Sequence, residues 1–331
     1  MNRTKYFLNL LLLILLISCN ENEQRNKLIT ITGTSNPGFI DGANAELFKP
    51  IRLTPYKENS ILFADINNHA IRFVNQNGEV TTIAGGPDKK GFADGSADSA
   101  KLASPHGVAY NKKNNTIFVA SASNHVIREI SEIGNGEFVV KTIAGIPEKK
   151  GYKDGAVDSA LFNSPHGVLV REEDGALVVI DIGNAKLRLI KDGVVSTIAG
   201  NTDADPLKID FYYPIDLAFD GDDILIADAG NNKIFRIKPE KSAEAIQLSD
   251  TLNTPHGITA DKNGSIYIAD MGTNRILKID SKGNFSTLVE STTDTTSVSC
   301  LKKPAAVLYD NGYLWIADLN NHQLKLLDLS K

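Results

Sequence analysis

The chain has 331 residues, enough for one large domain or two of ordinary size. It carries 35 basic and 40 acidic side chains and a formal net charge of −5. This acidic balance argues against nucleic acid as a partner, because proteins that neutralise phosphates present an excess of basic side chains. The two cysteines, Cys19 and Cys300, exclude a framework of several disulfides.

The N-terminus has the pattern of an export signal. Arg3 and Lys5 precede an almost wholly apolar run at 7–17, which has the length of a signal-peptide core and is short for a membrane span. The run ends in Leu-Ile-Ser-Cys at 16–19. This resembles a bacterial lipobox, in which the signal is cut before a cysteine that then receives lipid.

We therefore predict a lipoprotein signal peptide at 1–18, lipidation of Cys19 with palmitate among the acyl chains, and a polar tether over 19–26. A plain secretory signal and an uncleaved anchor are the alternatives. The prediction places the protein at a bacterial cell envelope, on the outer membrane or the periplasmic face, attached to the membrane through its lipid.

From residue 27 onward one pattern recurs six times, and each copy has a proline at its start. The spacings between these prolines are 55, 60, 49, 41 and 49 residues, close to the repeat lengths of propellers with four strands per unit. The six are Pro50, Pro105, Pro165, Pro214, Pro255 and Pro304.

The second copy shows four short runs rich in β-branched and aromatic residues. They cover 105–110, 116–120, 125–130 and 138–143, with polar or glycine-bearing turns between them. Such runs predict antiparallel strands.

The two ends of the chain predict a closed ring. The sixth copy stops after its third strand, 322–329, and the missing fourth strand is found at 27–33, which resembles 80–85. An open array would leave unpaired strand edges. We therefore predict that 27–331 is an all-β, six-bladed β-propeller of four-stranded antiparallel blades, closed by the N-terminal strand pairing in the last blade, and monomeric.

The motifs Pro-x-Gly-Val/Ile, Ala-Asp-x-x-Asn-His/Asn and Ile-x-Arg/Lys-Ile resemble those of the NHL-repeat family. The resemblance covers 27–331 and implies a six-bladed propeller. It implies little about activity, since function belongs to sites and not to folds.

Turn residues recur at fixed places in the copies. The second strand ends in Asp65, Ser121, Asp181, Asp228, Asp270 and Asp318. Because Asp and Ser side chains bond nearby backbone amides, we interpret this row as turn chemistry. The Asp-Gly linkers at Asp41, Asp94 and Asp154 receive the same interpretation, with Ca²⁺ binding as the alternative.

One position of the repeat holds candidate metal-binding residues. The first strand of a propeller blade lines the central channel, and the residue after its proline lies near one mouth. By alignment this residue is Ile51, His106, His166, Ile215, His256 or Ala305. Three imidazoles near one mouth suit Zn²⁺ or another divalent metal. We expect Arg52 and Asp216 to line the same funnel. The alternative is that duplication spread histidines that only solvate the mouth.

The Pro-His pairs also resemble the lyase half of peptide-amidating enzymes, an NHL-type propeller whose zinc histidines follow a proline in the inner strand. This resemblance implies a metal at His106, His166 and His256. In that family the ligands come from alternate blades, whereas here they lie on the second, third and fifth.

No nucleophile elbow, phosphate loop or dinucleotide fingerprint is present in the sequence. The leading hypothesis is accordingly a recognition scaffold at the envelope that binds a peptide, protein or glycan over one propeller face. The alternative is a metal-dependent lyase or hydrolase with its site in the histidine-lined channel.

Overall fold

The computed structural model describes residues 27–200, 207, 209–238, 242–246, 251–291 and 300–330. The predicted signal peptide, Cys19 and the tether lie outside these residues. Within the described ranges, none of the helices has the length and apolar character needed to cross a membrane.

Six antiparallel sheets form the blades. The first strand of the chain, β1 (Leu28–Thr32), belongs to the last blade. Blade one contains β2 (Pro50–Pro55), β3 (Ile61–Asp65), β4 (Ala70–Val74) and β5 (Val80–Gly85). Blade two contains β6 (Gly95–Ser96), β7 (Pro105–Asn111), β8 (Thr116–Ser121), β9 (Val126–Gly134) and β10 (Glu137–Ala144). Blade three contains β11 (Gly155–Ala156), β12 (Pro165–Val170), β13 (Leu177–Asp181), β14 (Lys186–Lys191) and β15 (Val194–Gly200).

The remaining blades follow the same plan. Blade four contains β16 (Pro214–Asp220), β17 (Asp223–Asp228), β18 (Lys233–Ile237) and β19 (Ala243–Ala245). Blade five contains β20 (Pro255–Ala260), β21 (Ile266–Asp270), β22 (Arg275–Ile279) and β23 (Phe285–Glu290). Blade six contains β24 (Pro304–Asp310), β25 (Tyr313–Asp318) and β26 (Gln323–Asp328), together with β1. Short 3₁₀ helices lie at Lys57–Asn59, Ile66–Asn68, Pro87–Lys89, Ala122–Asn124, Ile182–Asn184 and Leu319–Asn321.

The predicted ring closure is confirmed. β1 pairs antiparallel with β26, with Leu28 opposite Leu327 and Thr32 opposite Leu324. The inner strands β2, β7, β12, β16, β20 and β24 follow one another around the ring, and β24 lies beside β2. The fold is therefore the six-bladed propeller that the repeats predict, and its first and last strands share a blade.

The core lies between neighbouring blades, because each sheet is apolar on both of its faces. The second strands β3, β8, β13 and β21 are buried along their whole length. Sheets packed face to face in this way need apolar residues on both sides of a strand, which explains continuous runs such as 61–65.

Buried arginines attach the Asp-Gly linkers to the blades. Arg72 is fully buried; its Nη1 lies 2.7 Å from Asp65 Oδ2 and its Nη2 2.7 Å from Asp41 Oδ1. Arg188 repeats both contacts in blade three with Asp181 and Asp154. These carboxylates are satisfied by protein donors, and this supports the structural interpretation of the linkers.

Blade two departs from this arrangement. Ser121 stands where blades one and three have the buried aspartate, so Arg128 pairs only with Asp94, at 2.6 Å. Nε of Arg128 is buried without a hydrogen-bond partner. The linker contact is thus retained while the inner carboxylate is lost.

Side-chain hydrogen bonds join successive blades near the turns. The residue after the turn adopts a left-handed conformation, which His and Asn tolerate, and accepts a hydrogen bond from the amide before the next blade's proline. The pairs are His69 with Ser104, His125 with Ser164, Asn232 with Thr254, Asn274 with Lys303, and His322 with Lys49, at 2.7–3.2 Å. Ala185 holds this position between blades three and four and has no side-chain acceptor.

Candidate functional site at the channel mouth

The inner strands of blades two to six contain a bulge immediately after the proline. In β7 the ladder passes from Pro105 directly to Gly107, so His106 is left out of the pairing. His256 is left out of β20 in the same way, and His166 falls within the register shift of β12. Bulges of this kind re-aim side chains and are frequent beside functional sites.

Blade one places a different residue at the bulge from the one that the alignment predicted. Ile51 pairs with Ala64 and is only 2% exposed, whereas Arg52 is skipped in the ladder and has φ of 48°. A shift of one residue exchanges the two faces of a strand, so Arg52 takes the place that the alignment gave to Ile51.

The glycines of the Pro-His-Gly motif permit the close approach of neighbouring inner strands. A Cβ atom at Gly107 would lie 2.0 Å from the carbonyl oxygen of His166, and one at Gly257 would lie 2.6 Å from Cα of Ala306. A larger residue would force the blades apart at the mouth, so these glycines position the histidines.

Each of the three histidines is fixed by a carbonyl oxygen. Nδ1 lies 2.9 Å from Ser104 O in His106 and 2.8 Å from Ser164 O in His166. Nδ1 of His256 lies 2.7 Å from the carbonyl of Ala305 in the next blade. Since a carbonyl oxygen only accepts, the neutral rings carry their proton on Nδ1 and present the lone pair of Nε2.

The histidines lie close together and are neutral. The ring centroids of His106 and His166 are 3.9 Å apart. Burial lowers the pKa of His106 to about 4 and that of His256 to about 3, and the charge of Arg52 contributes to both shifts. Burial also lowers the pKa of His166 well below its ordinary value, with His106 as the next cause.

Arg52 and Asp216 form an ion pair across the channel. Nη1 of Arg52, on blade one, pairs with Asp216 Oδ2 on blade four, and Nη2 donates to the carbonyl of Ile215. Asp216 also accepts the amides of Leu217, at 2.7 Å, and of Ile258 on blade five, at 3.0 Å. Because blades one and four are opposite in a ring of six, this pair bridges the channel.

The guanidinium of Arg52 is incompletely paired. The residue is only 5% exposed, yet Nε has no hydrogen-bond partner, and Nη1 contacts Asp216 without hydrogen-bond geometry. Burial lowers the pKa of Arg52 and raises that of Asp216, while their mutual attraction opposes both shifts. We call Arg52, His106, His166, Asp216 and His256 the mouth cluster.

The mouth cluster meets some requirements of a metal site and lacks others. Histidine ligands commonly donate Nδ1–H to a carbonyl and bind metal through Nε2, as these rings could. However, the guanidinium of Arg52 lies in the same cluster and repels cations. In the part of the chain that the structure covers, no three His, Cys, Asp or Glu side chains are grouped closely enough to hold a metal ion. The Zn²⁺ site stays a prediction.

Two exposed tyrosines precede β16 on the face of the ring that carries the mouth. Tyr212 is 72% and Tyr213 47% exposed, and Asp228 accepts both of their backbone amides, at 3.0 and 2.9 Å. Tyr213 directly precedes Pro214 at the start of β16. Trp315 packs against a core cluster.

Protonation of the mouth cluster is predicted to weaken the fold. The pKa of His256 is 6.5 in the absence of shifts and about 3 in the folded chain, so the unfolded chain binds more protons as pH falls. The stabilising contribution is complete above pH 6.5 and is lost progressively towards pH 3. His256→Gln should reduce the slope of unfolding free energy against pH in this window by up to about 1.4 kcal/mol per pH unit.

Chemical denaturation at a series of pH values measures this slope. Asn77→Gln, an exposed change with no titrating group, is the control and should leave the slope unaltered. An equal slope in the His256→Gln protein and the unmodified protein would contradict a buried, neutral imidazole.

Comparison with known proteins supports the repeat assignment. The NHL repeat family model matches residues 252–279. The chain is 26% identical to human NHL repeat-containing protein 2 over 90% of its own length, and this match spans 41% of the human protein. The chain thus covers less than half of that relative.

Solved structures share the fold at low sequence identity. A catalytically inactive histidine-to-alanine variant of virginiamycin B lyase from Staphylococcus aureus, with quinupristin, matches with a TM-score of 0.58 and 17% identity, covering 86% of this chain and 83% of that one. An auxiliary nutrient binding protein from Bacteroides thetaiotaomicron matches with a TM-score of 0.67 and 12% identity, covering 93% and 78%. Together with the six observed blades, these comparisons show a six-bladed β-propeller that contains an NHL repeat at 252–279 and is similar to NHL repeat-containing proteins.

Proposed function

We propose that the protein is a recognition scaffold that binds a peptide, protein or glycan ligand over the channel mouth. This proposal rests on the Arg52–Asp216 ion pair. The pair places charged groups across the channel at the mouth, and it leaves Nε of Arg52 without a hydrogen-bond partner. A few fixed polar groups with exposed aromatic residues on the same face have the composition of a ligand site.

The contacts of the Asp216 carboxylate favour a role in ligand binding over a role in catalysis. Asp216 contacts Arg52 and accepts two backbone amides, so it is poorly placed to take a proton from a substrate. The fold itself is compatible with either role, since it matches both a lyase and a nutrient binding protein.

Binding should depend on the mouth face. Peptide and glycan arrays probed with the full chain test this, followed by affinity measurement on each ligand found. Tyr212→Ala removes an exposed aromatic side chain and should weaken binding about tenfold, or about 1.4 kcal/mol. Asn77→Ala, in the β4–β5 hairpin on the opposite face, is the matched control. Equal effects of the two changes would contradict binding at the mouth.

We further propose that the protein is lipid-anchored at the envelope with its mouth facing away from the membrane. β1 begins opposite Leu327 and ends opposite Leu324, so the chain enters the ring at the face opposite the mouth. A lipid on Cys19 would therefore hold that opposite face towards the bilayer.

The anchor is tested by replacing its acceptor. Cys19→Ala should move the protein from the membrane fraction to the soluble fraction and abolish labelling with palmitate, because two acyl chains or more hold a protein stably at a bilayer. Cys300→Ala is the control and should change neither result. Persistent labelling of the Cys19→Ala protein would refute lipidation at this cysteine.

A metal-dependent lyase or hydrolase is the second candidate, favoured by the three Nδ1–carbonyl contacts that leave Nε2 available. This hypothesis predicts one Zn²⁺ or other divalent ion per chain after mild purification, lost in His106→Ala and His166→Ala. Elemental analysis measures the stoichiometry, with His69→Ala as the control. A metal-free protein that still binds its ligand would reject this candidate.

A further inference from the structure

We propose that the mouth cluster binds an uncharged, hydroxyl-rich ligand, the chemistry of a neutral carbohydrate. This inference rests on the proposed function and selects one ligand class for the same site. Its basis is the combination of unpaired hydrogen-bonding atoms in an electrically neutral cluster with exposed aromatic rings on the same face of the ring.

The charges of the cluster disfavour an ionic ligand. Arg52 and Asp216 neutralise one another, and burial lowers the pKa of each of the three imidazoles so that they are neutral near pH 7. The cluster therefore has no net charge. A carboxylate would lie near Asp216 and face the lone pairs of the imidazoles, whereas an ammonium group or metal ion would lie near Arg52. Both would lose hydration without a free counter-charge.

The hydrogen-bonding atoms of the cluster match hydroxyl groups. The histidines present Nε2 as acceptors, and no hydrogen bond engages these atoms within the described ranges. Nε–H of Arg52 is a buried donor without a partner. One hydroxyl group can both donate to an imidazole and accept from the guanidinium, and such a partner would remove the penalty of an unsatisfied buried donor.

Tyrosines on the mouth face supply the apolar half of such a site. A pyranose ring has a face of C–H groups and an edge of hydroxyl groups, so it suits an aromatic surface beside a polar cluster. Tyr212 and Tyr213 are exposed, and Tyr213 is two residues from Ile215, the residue whose carbonyl contacts Arg52. Exposed tyrosines combine an apolar ring with a polar tip, as binding surfaces require.

Calorimetric titration of the full chain with neutral oligosaccharides tests the inference. The matched probes are oligosaccharides of the same linkage that carry a uronic acid or an amino sugar. We expect a neutral member to bind and its charged counterparts to bind at least about tenfold more weakly, or about 1.4 kcal/mol.

Two variants locate the interaction in the cluster. His106→Leu removes one acceptor and should weaken binding of the neutral sugar about tenfold, whereas His106→Gln retains a carbonyl acceptor and should lose less. Tyr152→Ala removes an exposed tyrosine of the linker before β11, whose ring and hydroxyl contact Arg188 and Thr197 of blade three, and should leave the affinity unchanged. Nitrogen chemical shifts of the imidazoles should show Nε2 of His106 accepting a hydrogen bond when sugar is added.

Several outcomes would overturn the inference. Failure of every neutral oligosaccharide to bind, or equal binding of the charged counterparts, would do so. Binding of peptides alone, weakened by Tyr212→Ala, would overturn it while leaving the recognition scaffold standing. A ligand that binds every mouth variant as tightly as the unmodified protein would contradict both proposals.

Discussion

The pairing of β1 with β26 is the contact on which the rest of the structure depends. Blade six contains three strands from the end of the chain, and its fourth is Leu28–Thr32. Without this pairing blade six loses its fourth strand, and the ring closes only through contacts between blades six and one, such as that of β24 with β2 and the hydrogen bond from Lys49 to His322. The mouth cluster combines residues of blades one to five, so its geometry requires a closed ring. Closing it joins segments almost 300 residues apart, which makes the site a property of the whole chain and not of any one repeat.

Within the closed ring, the Arg52–Asp216 bridge determines the chemistry of the channel. A buried ion pair contributes little net stability compared with apolar residues of the same size, because both ions lose their hydration. The bridge nevertheless fixes the guanidinium between Ile215 and Asp216 and leaves one of its donors facing no protein acceptor. Its charge also helps to keep the imidazoles neutral. An ion pair that adds little stability and directs polar atoms to one place supports the proposal that it serves ligand binding.

The sequence was sufficient to predict the propeller, its blade count and its closure, because each depends on periodic features: prolines, alternating apolar runs and a missing strand found at the other terminus. The site was only partly predictable. His106, His166 and His256 could be assigned to one mouth from their place after a proline. The presence of Arg52 at the bulge in place of Ile51 could not be predicted, because a bulge moves the register by one residue without changing the amino-acid composition of the strand. The contact between Arg52 and Asp216 joins opposite blades, and no local pattern encodes such a pair.

The departures from the repeat are more informative than the repeat itself. A residue needed for folding should recur in every blade, as the aspartate at the end of the second strand nearly does, with Ser121 as its exception. The residues of the mouth cluster do not recur in this way: the bulge holds arginine once and histidine three times, and Asp216 follows the bulge where blades two and five have glycine. Packing alone does not require this asymmetry, since Ile215 and Ala305 occupy the same bulge elsewhere in the ring. A nearly symmetric scaffold with one asymmetric polar end is therefore best understood as a frame that presents a single specific site.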